Sequence, residues 1–245
     1  MNFITVKDYA SMSAFAARFV LEQIRSKPDS VLGLPTGSTP VGMYQLLVNA
    51  YKRGEADFSK IITFNLDEYY NLPKEHEQSY YSFMYRNLFS HINIQPENVH
   101  IPDGNAINLE KECTAYDQAI KSAGCIDLQV LGTGVNGHIG FNEPAEHLIK
   151  GTHITALTKQ TLKSNSVNFG CTEQMPTNAI TMGMGSIFSA RKILMLASGK
   201  NKSQVMSLLY KGQITTYAPL TLLALHHDVT VVMDEAAAGF LCKSK

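Results

Sequence analysis

The 245-residue sequence predicts an α/β protein built on a mostly parallel, doubly wound sheet with helices on both faces. Two observations predict it. Short apolar runs of strand type alternate with stretches of helical period, and such alternation builds parallel sheets through crossover helices. Four of the strand-to-helix junctions also carry polar loops: Thr36–Thr39, Asp67–Glu68, Asn136–Glu143 and Ser198–Lys202. Parallel strands bring all four loops to one edge of a sheet, where ligands bind in folds of this class.

In chain order, Tyr9, Met12, Phe15, Phe19, Val20 and Ile24 have helical spacing over 8–26, and Pro28 stops that helix. Val31-Leu32-Gly33-Leu34 reads as a strand, followed by the loop Pro35–Pro40 and a helix carrying Met43, Tyr44, Leu47 and Val48. A strand over Ile61–Leu66 runs into Asp67-Glu68-Tyr69, and an aromatic-rich helix over Tyr80–His91 and a short strand at Val99–Ile101 follow. A helix over 109–123 precedes the strand Ile126–Leu131. The loop after that strand holds Gly132, Gly134, Gly137 and Gly140 around Asn136, His138, Asn142 and Glu143. Glycines let backbone approach a ligand closely and adopt positive φ, so this loop is the leading site candidate.

Residues 145–178 are polar and the least regular, and a lid is expected within them. Ile180–Gly185 leads into a helical turn. Lys192–Ala197 is a strand, Ser203–Tyr210 and Pro219–Leu225 are helices, and Val229–Asp234 is the last strand. No linker or repeat divides the chain, so residues 1–245 are expected to form one domain.

Composition narrows the function. The 21 basic residues balance the 21 acidic ones, which argues against binding nucleic acid through a broad basic surface. No apolar run approaches the ~20 residues of a membrane span, and Met1–Ala10 lacks a signal-peptide pattern. Cys113, Cys125, Cys171 and Cys242 are too scattered for a metal site and read as free thiols of a cytoplasmic protein. His226 and His227 read as a surface pair whose rings point different ways.

The candidate chemistry follows from residue type. Thr36, Gly37, Ser38 and Thr39 before a helix form the outline of an anion cradle, with hydroxyls and backbone N–H groups available. Lys202 opens a helix, where the dipole disfavours a cation, so an anionic ligand would account for it. Asp67 ends a strongly apolar strand and is expected to be partly desolvated, as suits a general base. Glu143 is placed to orient the His138 imidazole. No Gly-x-Ser-x-Gly elbow marks acyl transfer.

Together these residues resemble the glucosamine-6-phosphate deaminase family. The matching segments are Leu32–Pro40, Thr63–Tyr69, Leu72–His76 with Ser79–Met84, and Gly137–Pro144, with Ser198–Lys202 similar to a second phosphate-binding segment. The resemblance covers nearly the whole chain. It implies a Rossmann-like sheet and conversion of D-glucosamine 6-phosphate and water to D-fructose 6-phosphate and ammonia in amino-sugar catabolism, with no metal and no organic cofactor. It implies Asp67 as the base at C2, His138 as the ring-opening acid/base, Glu143 and Asn136 as its supports, and Thr36–Thr39 with Lys202 as phosphate ligands.

The chain departs from the family's pattern in two places. Val167 follows Asn165-Ser166 where members commonly have a phosphate-binding Arg. His153 and Thr155 stand where allosteric members carry basic residues, and the sequence ends earlier than theirs, at Lys245. The expected assembly is therefore a monomer or small homo-oligomer rather than a hexamer. Three other readings stay open: a galactosamine-6-phosphate deaminase giving tagatose 6-phosphate, a 6-phosphogluconolactonase, and a sugar-phosphate sensor.

Overall fold

The computed structural model describes residues 1–170 and 175–241, leaving the side chains of Val167 and Asn168 outside the description. Val167, Cys171 and Cys242, raised above, thus lie wholly or in their side chains beyond it. Cys113 and Cys125 are free thiols.

Among the described residues the main sheet has seven strands. In chain order these are β1 (Asn2–Val6), β2 (Val31–Leu34), β3 (Ile62–Asn65), β5 (Val99–His100), β6 (Leu128–Leu131), β9 (Lys192–Ala197) and β10 (Val229–Asp234). Their spatial order is β1-β10-β9-β6-β2-β3-β5, and every pairing is parallel. The chain runs outward from β2 to β5, then returns to β6 on the other flank of β2 and continues toward β10. The loops after β2 and β6 therefore diverge, leaving a crevice at the carboxyl ends of the strands.

Strand periodicity sends alternate side chains to opposite faces. Leu32, Leu34, Leu128, Val130, Leu194, Leu196 and Val232 face one core, under α1 (Tyr9–Ser26), α2 (Val41–Lys52) and α3 (Tyr80–Asn87). Val31, Phe64, Ile193, Met195, Val231 and Met233 face the other, under α4 (Leu109–Ser122), α6 (Met184–Phe188) and α7 (Ser203–Tyr210). Asp8 caps α1 by accepting the Ser11 N–H at 2.8 Å, which fixes the start of that helix. At the amino-terminal rim, buried Asp127 accepts the Val31 N–H at 2.8 Å and the Lys27 ammonium at 2.5 Å, tying the start of β2 to the approach to β6. The doubly wound parallel sheet thus stands as expected.

Four features differ from the sequence reading. β1 was not foreseen. Its half-buried Asn-Phe-Ile-Thr-Val has meaning only once it pairs with β10. The strand expected over 61–66 stops at Asn65, and Asp67–Tyr69 forms β4 in a second, antiparallel sheet with β8 (Asn178–Thr181) and β7 (His153–Ala156). Residues 145–178, expected to be irregular, hold β7, the start of β8 and α5 (Lys159–Phe169), whose N-cap Thr158 accepts the Thr161 N–H. His226 is not a surface residue. It is 7% exposed, its Nε2 meets the Ala190 carbonyl at 2.8 Å, and its ring lies 4.5 Å from that of His227. Among the described residues no helix is long and apolar enough to cross a membrane.

Candidate active site

The crevice opens into a cavity of about 710 Å³ whose walls include Thr36–Thr39, Asp67, Asn136, His138 and Lys202. Every strand-end loop singled out in the sequence reaches it.

One wall is the loop after β2. It is anchored below by Tyr44, whose hydroxyl donates to the Pro35 carbonyl at 2.5 Å, and by Asn65, which donates to the Leu34 carbonyl at 3.0 Å. Tyr9 ties its outer side by donating to the Ser38 carbonyl at 3.0 Å and accepting the Gly42 N–H at 2.8 Å. Gly37 has φ 88°, which lets the loop turn over the cavity. Across from it, Asp234 at the end of β10 accepts from the Ser198 hydroxyl at 2.5 Å and from the Gly199 N–H at 3.1 Å. That clamp shapes the turn that delivers Lys202, whose ammonium has no carboxylate partner among the described residues. Burial pulls the Lys202 pKa down, so its charge is held in the cavity wall without compensation.

Asp67 is 5% exposed. β4 presents it to the cavity, while the next residue, Glu68, points the other way, as strand periodicity requires. The Glu68 carboxylate accepts the Tyr69, Tyr80 and Tyr81 N–H groups at 2.8–2.9 Å and so fastens β4 to the start of α3. Burial, and then the Glu68 charge, push the Asp67 pKa up to about 8. Gly140, with φ 57°, lies against this carboxyl: a Cβ there would sit 3.2 Å from Asp67 Oδ2 and 3.0 Å from Thr181 Oγ1. Only glycine brings the loop after β6 this close to Asp67.

That loop carries the second group. His138 Nδ1 lies 3.3 Å from Glu143 Oε2, leaving Nε2 as the ring nitrogen open to a ligand. Asn136 links the two, donating to Glu143 Oε2 at 2.8 Å and accepting the His138 N–H at 3.2 Å. Gly134 makes room for the imidazole, since a Cβ there would stand 2.3 Å from its Cε1. Burial pushes the Glu143 pKa up. Hydrogen bonding to His138, the His138 charge, and hydrogen bonds from Thr161 and Asn136 outweigh it, and the carboxyl stays below its ordinary value.

The structure also adds cavity-wall residues to which the sequence reading gave no role. α5 forms a further wall through Gln160, Thr161, Ser164, Asn165 and Phe169. Asn165 donates to the Tyr69 hydroxyl at 3.0 Å, and Tyr80 stacks on Phe141 with ring centroids 5.9 Å apart. Thr158, a residue type favoured at helix N-caps, was the only signal in the sequence for the start of α5.

Comparison with known proteins gives a consistent result. Residues 7–232 match the family described as glucosamine-6-phosphate isomerases/6-phosphogluconolactonase. A protein of Thermoanaerobacter sp. (strain X514) named glucosamine-6-phosphate deaminase is 55% identical over 98% of this chain and 95% of its own. One of the same name from Clostridium novyi (strain NT) is 51% identical over 98% of this chain and 100% of its own. A solved structure described as a monomeric glucosamine-6-phosphate deaminase superposes with a TM-score of 0.95 at 41% identity, covering 98% of this chain and 99% of that one.

Proposed function

Because this chain belongs to the glucosamine-6-phosphate isomerase/6-phosphogluconolactonase family, we propose that it is a glucosamine-6-phosphate deaminase, converting D-glucosamine 6-phosphate and water to D-fructose 6-phosphate and ammonia. The observation that carries this reading is the meeting, in one cavity, of a buried carboxyl at Asp67, the His138 imidazole backed by Glu143, and the Lys202 cation, which has no carboxylate partner among the described residues.

The tasks divide by geometry. Lys202 and the loop Thr36–Thr39 take the phosphate, and that remote binding energy fixes the sugar. His138, through Nε2, passes a proton to the ring oxygen and opens the ring, while Glu143 and Asn136 hold its other nitrogen. In the open aldose the C2 hydrogen is α to a carbonyl, and Asp67 removes it. A carboxylate with a pKa near 8 is a strong base for its type, although only its ionised fraction acts. The proton taken from C2 then passes from Asp67 to C1, giving a C2 imine, which water hydrolyses to the ketone and ammonia. α5 is the part of 145–178 best placed to act as a lid over the bound sugar.

We place the reaction in cytoplasmic amino-sugar catabolism and expect a monomer or small oligomer, which size-exclusion chromatography with light scattering would check. The deciding experiment is ammonia release from glucosamine 6-phosphate and galactosamine 6-phosphate side by side, with the ketose identified. Fructose 6-phosphate and ammonia in equal amounts are expected. Preference for the galacto epimer, or hydrolysis of 6-phosphogluconolactone without ammonia release, would overturn the reading.

A further inference from the structure

The Glu143 carboxylate is shared between two elements. Its Oε2 serves Asn136 and His138 within the glycine loop. Its Oε1 takes a short hydrogen bond from the hydroxyl of Thr161, which comes from α5. Thr161 is 2% exposed, and Thr158 Oγ1 donates to its oxygen at 3.1 Å. A hydroxyl has a single proton to give. With its oxygen already accepting from Thr158, the Thr161 proton is committed to Glu143. Among the described residues no other hydrogen bond reaches Oε1.

We propose that Thr161 is a positioning residue for the reaction, fixing the plane of the Glu143 carboxylate and, through it, the ring of His138. The inference rests on the roles given to His138 and Glu143 above. A terminal carboxylate torsion has a broad energy well, so one oxygen held by the loop does not fix the plane alone. Asn136 and His138 both act on the same oxygen, Oε2, and leave rotation about it open. The Thr161 bond to the other oxygen closes that freedom. It is also the contact through which the wall of the cavity formed by α5 meets the His138 pair: displacement of α5 would release Oε1 and loosen the imidazole in one movement.

Thr161→Val keeps the shape of the side chain and the Thr161 N–H bond to Thr158 that starts α5, and removes the O–H donor to Glu143 together with the oxygen that accepts from the Thr158 hydroxyl. With ammonia release as the assay, kcat for glucosamine 6-phosphate should fall ~10–100-fold, the loss of a hydrogen bond to a charged group. KM should move less than about threefold, because Thr161 touches no phosphate ligand. Thr161→Ser should recover most of kcat. In a Glu143→Gln background, Thr161→Val should cost nothing further, since a residue acting through Glu143 has nothing left to position. If Thr161→Val does not fold, Thr161→Ala carries the same comparisons.

Wild-type kcat in the Val or Ala variant overturns the proposal. So does a double variant that loses the full product of the two single effects, because that marks a role in packing alone. Full activity in Glu143→Gln itself would overturn the assignment of the His138 pair, a failure distinguishable from that of Thr161.

Discussion

Replacing Asp67 by Asn should stabilise the fold, by an amount that grows with pH. The Asp67 carboxyl is 5% exposed and has no cationic partner among the described residues; burial and Glu68 raise its pKa from 3.8 to about 8. A folded-state pKa above the unfolded one means that the fold holds the proton more tightly. The resulting stability is fully present below about pH 4, is lost as pH rises, and is gone once pH passes about 8. At ~1.4 kcal/mol per unit, a displacement of about 4 units makes ionised Asp67 cost the fold on the order of 6 kcal/mol. Asn has nearly the same shape and does not titrate. The stability difference between variant and wild type should therefore open by ~1.4 kcal/mol per pH unit over about pH 4–8 and then level off. Urea unfolding of both proteins, at steps from about pH 5 to 9, measures this directly, and titrations elsewhere in the chain cancel in the difference. A difference that stays constant across that range would refute the burial argument. The same ionisation should gate catalysis: kcat/KM should climb with pH around a midpoint near 8. A midpoint in the ordinary carboxylate range would contradict it.

Other outcomes follow from the same geometry. Lys202→Ala should raise KM, with a loss of ~1.5–3 kcal/mol in binding of the phosphorylated sugar, and an unchanged KM would remove Lys202 from the site. Asp67→Asn should lower deamination ~10²–10⁴-fold; in deuterated water, fructose 6-phosphate and ammonia should then give essentially no C2-labelled amino sugar. Gly140→Ala forces a side chain into positive φ at ~1–2 kcal/mol and crowds Asp67, so thermal stability and kcat should fall together. Rate against substrate should be hyperbolic and unmoved by N-acetylglucosamine 6-phosphate, since His153 turns its Nδ1 to the Gly151 carbonyl and Thr155 carries no charge. A sigmoidal curve sharpened by that compound would count against this.

What was legible in the sequence was whatever a single segment determines. Strand-type runs such as Val31–Leu34 and Lys192–Ala197 are fully or almost fully buried, so their apolar composition announces them. The loops after them were visible because glycines and hydroxyls interrupt such runs. Segments whose character depends on a distant partner were not legible. α5 has one side on a polar cavity, so its pattern is weakly amphipathic and reads as loop. Thr161 was invisible for the same reason, as only the fold brings its hydroxyl to Glu143. Asp67 was expected at the edge of the parallel sheet, but it lies in an antiparallel ladder with Thr181, which is far along the chain. His226 misled because two adjacent imidazoles suggest solvent; the buried carbonyl of Ala190 is what draws one of them inward.

The three-stranded sheet dictates when the chemistry can appear during the making of the molecule. β4 carries Asp67, but its ladder partner is Asn178–Thr181. A ribosome adding ~5–20 residues per second delivers that partner on the order of ten seconds after Asp67 has been joined to the chain. In that interval β2 and β3 can pair and α1 and α2 can dock on them, while the residue proposed as the base has no strand to hold it. The nascent chain can thus build the β2–β3 part of its scaffold before Asp67 gains its ladder partner, and β9 and β10 follow later still. A growing intermediate can be sheltered and partly folded while still unable to act on a sugar phosphate.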